Sequence, residues 1–155
     1  MRAGDWARLR GPEGNFTLPR RCQALAFLSG GIGITPLRSM MRYIADKQLP
    51  YDVTLVYGNA SLEETAFREE LDDLCAIHSG LRVVYVLSGP DVPSGWKGKT
   101  GVINRDLVAE VIPDYRKRLF YVSGPPRMVL SLQDQLIALG VRETRVRRDS
   151  FTGYD

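Results

Sequence analysis

The chain has 155 residues, with 21 Lys and Arg against 18 Asp and Glu, a net charge of +3. This balance is too slight to argue for a nucleic-acid partner, and 44% hydrophobic with 25% charged residues excludes disordered, collagen-like and coiled-coil chains. No apolar run approaches the roughly 20 residues of a membrane helix, and residues 1–20 hold Asp5, Arg8, Arg10 and Glu13 rather than the apolar stretch of a signal peptide.

Residues 1–20 are turn-rich around Gly11-Pro12-Glu13-Gly14 and read as a lead-in, separate from a domain over 21–155. The first apolar run, Ala24-Leu25-Ala26-Phe27-Leu28, predicts a strand. It ends in Ser29-Gly30-Gly31-Ile32-Gly33-Ile34-Thr35-Pro36 and passes at once into a helix striped by Leu37, Met40, Met41 and Ile44. Thr35 is the expected N-cap of this helix, with Pro36 in its first turn.

The second run, Val53–Tyr57, precedes a helix striped by Phe67, Leu71 and Leu74, with Ser61 and Glu64 as an expected capping box. His78 near its end reads as a solvated helix-end histidine. A third strand is expected over Leu81–Leu87, then a short helix capped by Asn104 and stopped by Pro113. The fourth run, Leu119–Val122, leads into Ser123-Gly124-Pro125-Pro126-Arg127-Met128 and a helix striped by Val129, Leu132, Leu136 and Leu139 and closed by Gly140. The weakly alternating Thr144–Arg147 suits an edge strand. Alternation of strand and helix predicts an α/β fold with a five-stranded, parallel, doubly wound (Rossmann-like) sheet.

Two cysteines, Cys22 and Cys75, and the single histidine are too few for a disulfide framework, an iron–sulfur cluster or a histidine metal site. A reducing, cytoplasmic setting is expected. The strongest chemical signal is the glycine-rich turn after the first strand. Glycine lets a ligand approach the backbone, and a helix N-terminus suits a pyrophosphate. The spacing Gly-Gly-x-Gly-x-x-Pro departs from the dehydrogenase fingerprint Gly-x-Gly-x-x-Gly. The turn after the fourth run is placed to face the same crevice. Arg116-Lys117-Arg118 and Arg142, Arg145, Arg147 and Arg148 read first as a solvated basic face and second as a docking face for an acidic electron carrier.

The stretch Leu25–Tyr154 resembles the NAD(P)-binding domain of the ferredoxin–NADP reductase family of flavoenzymes. The resemblance is carried by Gly30–Pro36, Tyr57-Gly58-Asn59, Phe67-Arg68-Glu69-Glu70-Leu71, Trp96 with Gly98 and Gly101, Gly124–Met128 and Phe151-Thr152-Gly153-Tyr154. It implies that Gly30, Gly31, Gly33, Ile34, Thr35 and Pro36 form the pyrophosphate loop. Asn59 and Ser61 would lie near the adenine ribose, and Gly124, Pro125, Pro126 and Met128 would flank the nicotinamide. Ser123 stands where many members have cysteine beside the hydride-transfer centre. Phe151 and Tyr154 are the candidates for the aromatic that stacks on the flavin.

The same resemblance makes residues 1–20 the exit from a flavin-binding barrel, whose Arg-x-Tyr-Ser type motif is missing from this sequence. It implies a fragment or one half of a split enzyme, with FAD held by a flavin-binding domain in cis or in trans. The nucleotide is NADH or NADPH. Asn59-Ala60-Ser61-Leu62-Glu63-Glu64 has no arginine for a 2′-phosphate and carries two carboxylates, which favours NADH, although Arg127 could reach over from the other turn. An electron-acceptor protein is implied as a partner. Exposed Phe151 and Tyr154 would favour a homodimer or docking through that surface. The alternatives are a stand-alone nucleotide-binding module without catalysis and a docking piece for a separate flavin chain.

Overall fold

The computed structural model describes residues 14–151 together with Trp6 and Arg8. Six parallel strands form one sheet: β1 (Ala24–Gly30), β2 (Asp52–Asn59), β3 (Leu81–Leu87), β4 (Lys99–Thr100), β5 (Leu119–Gly124) and β6 (Val146–Ser150), in the order β4-β3-β2-β1-β5-β6. The expected count of five missed β4. Two residues are too short to leave a periodic signature, and only pairing of Lys99 and Thr100 with Val86 and Leu87 defines this strand. The edge strand β6 also lies two residues later than the alternation suggested, because Glu143–Arg145 forms a 3-10 turn first.

The helices α1 (Ile34–Asp46) and α2 (Arg68–Ile77) cover one face, and α3 (Arg105–Val111) and α4 (Pro126–Ala138) cover the other. The strand pleat decides which residues meet them. Leu25, Phe27, Leu55 and Tyr57 pack with Leu37, Met41 and Leu71, whereas Ala26, Leu28, Val56 and Phe120 pack with Val108, Leu132 and Leu136. Both faces of β1 and β5 are therefore buried, which explains their near-continuous apolar runs.

Local signals decide the helix ends. Asn104 caps α3, its side chain accepting from Leu107 N–H at 2.9 Å. Gly140, at φ +92°, ends α4 while Gly140 and Val141 N–H return to Ile137 and Leu136 carbonyls. Two expected caps are corrected. The 3-10 turn Gly31–Gly33 makes Gly33 the N-cap of α1, and the Thr35 hydroxyl instead donates back to Ile32 O at 3.3 Å. Ser61 Oγ does accept from Glu64 N–H at 3.3 Å, but this closes a separate turn. Helix α2 begins only after Phe67, which is held at φ +59° with the Arg38 guanidinium 4.4 Å from its ring centre. Arg38 and Arg42 both pair with Glu70, fastening α1 to α2 and holding the Glu70 carboxyl below the usual range, chiefly through the Arg38 hydrogen bond.

His78 is buried rather than solvated, at 9% exposure. Its Nε2 donates to Leu49 O at 2.9 Å and its Nδ1 accepts from Gly80 N–H at 3.2 Å, so it ties two loops together. Arg118 is likewise no part of a solvated basic face. It lies buried at the amino-terminal end of β5 and donates to the Asp52 and Asp114 carboxylates and to Leu25 O. Arg147 reaches Thr17 O and the Tyr121 hydroxyl, and Arg145 reaches Lys117 O. Residues 14–20 of the lead-in pack on the domain, with Tyr121 donating to Thr17 O and Tyr51 to Pro19 O, both at 2.6 Å.

Candidate functional site

Strand order reverses between β1 and β5, and the carboxyl ends of these strands open into the crevice where such sheets bind ligands. A cavity of about 260 Å³ lies there. Gly30 and Gly31 bound it on β1 and its turn, Gly58 and Asn59 on β2, Ser88 after β3, and Pro125 and Met128 at the start of α4. Gly101, Val102 and Ile103, which follow β4, form its remaining wall with Ala60 and Glu64.

The two turns hold each other in place. Gly124 adopts φ +157°, within the region that favours glycine, and a side chain there would meet Met128 and the Gly30 backbone. Gly30 itself lies under the Met128 sulfur, which a Cβ would approach to 2.4 Å. Gly31 differs: it has φ +51° and open space where a Cβ would stand. Its exposed side is available to a ligand, whereas Gly30, Gly33 and Gly124 serve contact between the turns.

Helix α1 begins beside this opening with neither an acidic residue in its first turn nor a side-chain cap, and α4 begins likewise behind Pro125 and Pro126. Both amino-terminal ends therefore present positive dipole ends that no local carboxylate neutralises. Asn59 faces the same space from β2. It is only 7% exposed, yet neither its amide nitrogen nor its amide oxygen has a hydrogen-bond partner among the described residues. A buried primary amide with both ends unpaired is costly unless a ligand or water completes it. A larger hollow of about 680 Å³ lies over the start of α2, lined by Arg68 together with the Glu69, Glu70 and Asp72 carboxylates.

The predicted site residues thus separate. Gly30, Gly31, Asn59, Pro125 and Met128 meet at the cavity. Gly33 and Ile34 are buried beneath the turn, where the Ile34 N–H bonds to Gly31 O. Thr35 follows on α1, and Pro36 lines a different groove with Phe16, Leu18, Met40 and Tyr43. Ser61 O accepts from the Thr65 hydroxyl at 3.0 Å, and the residue is absent from the cavity lining. Pro126 lines a groove on the β6 side with Arg148 and Ser150.

Ser123 is fully buried in register with Ser29, and both hydroxyls lack a partner among the described residues. Phe151 is half-buried, with its N–H bonded to Gly124 O at 3.1 Å, and Tyr154 lies outside the described residues. Sequence reasoning missed Gly101–Ile103 as a wall. Ile103 Cδ1 lies 3.2 Å from where a Gly58 Cβ would be, so Gly58 keeps this wall close, and Val102 remains 67% exposed at the cavity rim. The glycine pair of the Tyr57-Gly58 and Lys99–Gly101 segments was the available signal, but only the sheet order brings them together.

Residues 27–134 match the oxidoreductase NAD-binding domain family. The NADH-cytochrome b5 reductase 1 of Pyricularia oryzae is 33% identical over 94% of this chain and 48% of its own length, and that of Dictyostelium discoideum is 30% identical over 94% and 51%. The chain thus spans about half the length of the curated relatives it matches. Among solved structures, the cytochrome P450 reductase GcoB of Amycolatopsis superposes with a TM-score of 0.78 at 26% identity, covering 92% of this chain and 43% of that one. The flavohem-like FAD/NAD-binding domain of nitric oxide dioxygenase from Vibrio cholerae gives 0.77 at 26% identity, covering 90% and 56%.

Proposed function

The chain belongs to the oxidoreductase NAD-binding domain family, and from that premise we propose that it binds NADH across the β1–β5 crevice as the nucleotide-binding half of a flavin-dependent reductase. The observation that carries this reading is the buried, unpaired Asn59 amide beside the open side of Gly31. The amide supplies a donor and an acceptor for the adenosine ribose, and the α1 start supplies backbone N–H groups for the diphosphate. Met128 and Pro125 offer an apolar surface for the nicotinamide. At about 260 Å³ the cavity takes one part of a dinucleotide, and the remainder lies along its open edge.

NADH rather than NADPH is favoured because Glu64 lines the cavity next to Asn59 and Ala60. A ribose 2′-phosphate there would face a carboxylate, and no arginine, Arg127 included, is among the described residues that line the cavity. The nucleotide supplies a hydride and a flavin accepts it, the hard chemistry residing in the cofactors. The residues of this chain bind and orient the donor. FAD would be held by a flavin-binding domain, in cis or in trans, and the relatives' names support a cytochrome as the final acceptor.

The test is a visible spectrum of the purified chain followed by titration with NADH, read by nicotinamide fluorescence. A colourless protein that saturates with NADH, and that restores NADH-dependent flavin bleaching when mixed with the flavin-binding half of a cytochrome b5 reductase, is expected. Absence of NADH binding overturns the reading.

A further inference from the structure

Tyr57 is a fully buried tyrosine on β2. It lies in register with Ser29 of β1 and Tyr85 of β3 and faces the α1 side of the sheet with Phe27 and Leu55. A buried phenol needs a hydrogen-bond partner, and this one donates to Gly31 O at 3.1 Å. Burial raises the Tyr57 pKa, against the opposing influence of the neighbouring Asn59 side chain and Ala66 backbone, so the hydroxyl keeps its proton and remains a donor.

The bond fixes more than one carbonyl. In a trans peptide the C=O and the following N–H point in opposite directions. Gly31 O is drawn toward the sheet by Tyr57 and also accepts the Ile34 N–H. The Ile32 N–H of the same peptide thereby points opposite to the Gly31 carbonyl, away from Tyr57, in a turn where Gly31 has φ +51° and open space beside its Cα.

We propose that Tyr57 is a positioning residue of the nucleotide site: its hydroxyl sets the orientation of the Gly31–Ile32 peptide and so aims the Ile32 N–H at the diphosphate. The proposal rests on the NADH-binding reading above. It assigns to the tyrosine of the Tyr57-Gly58-Asn59 motif a task distinct from that of Asn59, which meets the ligand directly. Tyr57 never touches the nucleotide and acts through the peptide it holds.

The test is Tyr57→Phe in the full chain, which keeps the ring and removes only the tether. ADP-ribose and adenosine are the probes, with affinities measured by calorimetry, the Ile32 amide followed by proton–nitrogen NMR, and Tm recorded for both proteins. ADP-ribose affinity is expected to fall about three- to tenfold, the value of one hydrogen bond, with adenosine affinity nearly unchanged and Tm lowered only slightly by loss of the same bond from the free chain. The Ile32 amide is expected to move on ADP-ribose addition in the parent chain and to move much less in the variant. Equal ADP-ribose affinity in the two proteins overturns the proposal. So does an equal loss for adenosine accompanied by a large fall in Tm, which marks general loosening. A parent chain that binds neither probe overturns the NADH-binding reading itself, a result distinct from a variant that binds as well as its parent.

Discussion

A β-carbon at Gly33 would stand 2.3 Å from the Ser123 carbonyl oxygen, and 2.5 Å from the Gly124 nitrogen and Cα. The turn before α1 therefore rests directly on the end of β5, backbone against backbone. Gly33→Ala is expected to lower stability by about 1–3 kcal/mol, the range for overpacking a site that cannot yield. Gly31→Ala meets open space and carries the strain of φ +51°, about 1 kcal/mol. Its methyl group projects where the nucleotide approaches. Thermal melts with NADH titrations should show Gly33→Ala as mainly a stability loss and Gly31→Ala as mainly an affinity loss.

Asn59 should show the opposite balance from a core residue. Its amide is buried without partners, so Asn59→Ala removes two unmet polar atoms from the free protein. The Tm of the free chain is expected to stay level or rise, while NADH affinity falls about fivefold or more through the lost ligand contacts. A matched fall in Tm and affinity would mean that the amide supports the strand end instead.

Glu64 provides a charge test. One like-charge contact near a solvated rim is worth about 1 kcal/mol, or roughly fivefold in binding. Glu64→Gln should improve NADPH affinity by about that factor and leave NADH nearly unchanged, as read from competing titrations at low salt. An equal change for both nucleotides would remove Glu64 from the choice between them.

Arg118 links acid stability to the sheet. Its guanidinium holds the Asp114 carboxyl below the usual range, chiefly by hydrogen bonding. Because the folded-state pKa lies below the unfolded one, this contribution is complete above the ordinary aspartate range. It is lost as pH falls through the depressed value. Tm measured from about pH 7 to about pH 3 should therefore drop less steeply in Asp114→Asn than in the parent chain. Arg118→Met is expected to cost about 2 kcal/mol at neutral pH, less than a wholly buried pair, because Asp52 and Asp114 keep access to water.

Much of this architecture was legible in the sequence because its signals are local. Asn104 as a cap, Gly140 as a stop, and the runs around Phe27, Val56 and Tyr121 all declare themselves within a few residues. The cavity was half legible. Gly31 and Met128 sit in recognisable turns, but the division of labour between Gly31 and Gly33 depends on how β5 packs under α1. Tyr57 looks like an ordinary core aromatic until register places it beneath Gly31. His78 and Arg118 were misjudged for a related reason. Their partners, Leu49 O for one and Leu25 O and Asp52 for the other, lie 29 or more positions away in the chain. Phe67 misled as a stripe residue because the Arg38 contact holds it at a left-handed helix entry.

The two outermost strands carry a consequence for how the molecule meets its own kind. On one flank β4 offers only Lys99 and Thr100. On the other, β6 presents Arg147, Arg148 and Asp149 along its length. A neighbouring strand seeking to lengthen the sheet finds too few backbone groups at the first flank and bulky charged side chains at the second. Edge-to-edge growth of the sheet into fibres is thus disfavoured from both sides, and crowding in concentrated solution should leave the parallel ladder closed to additions.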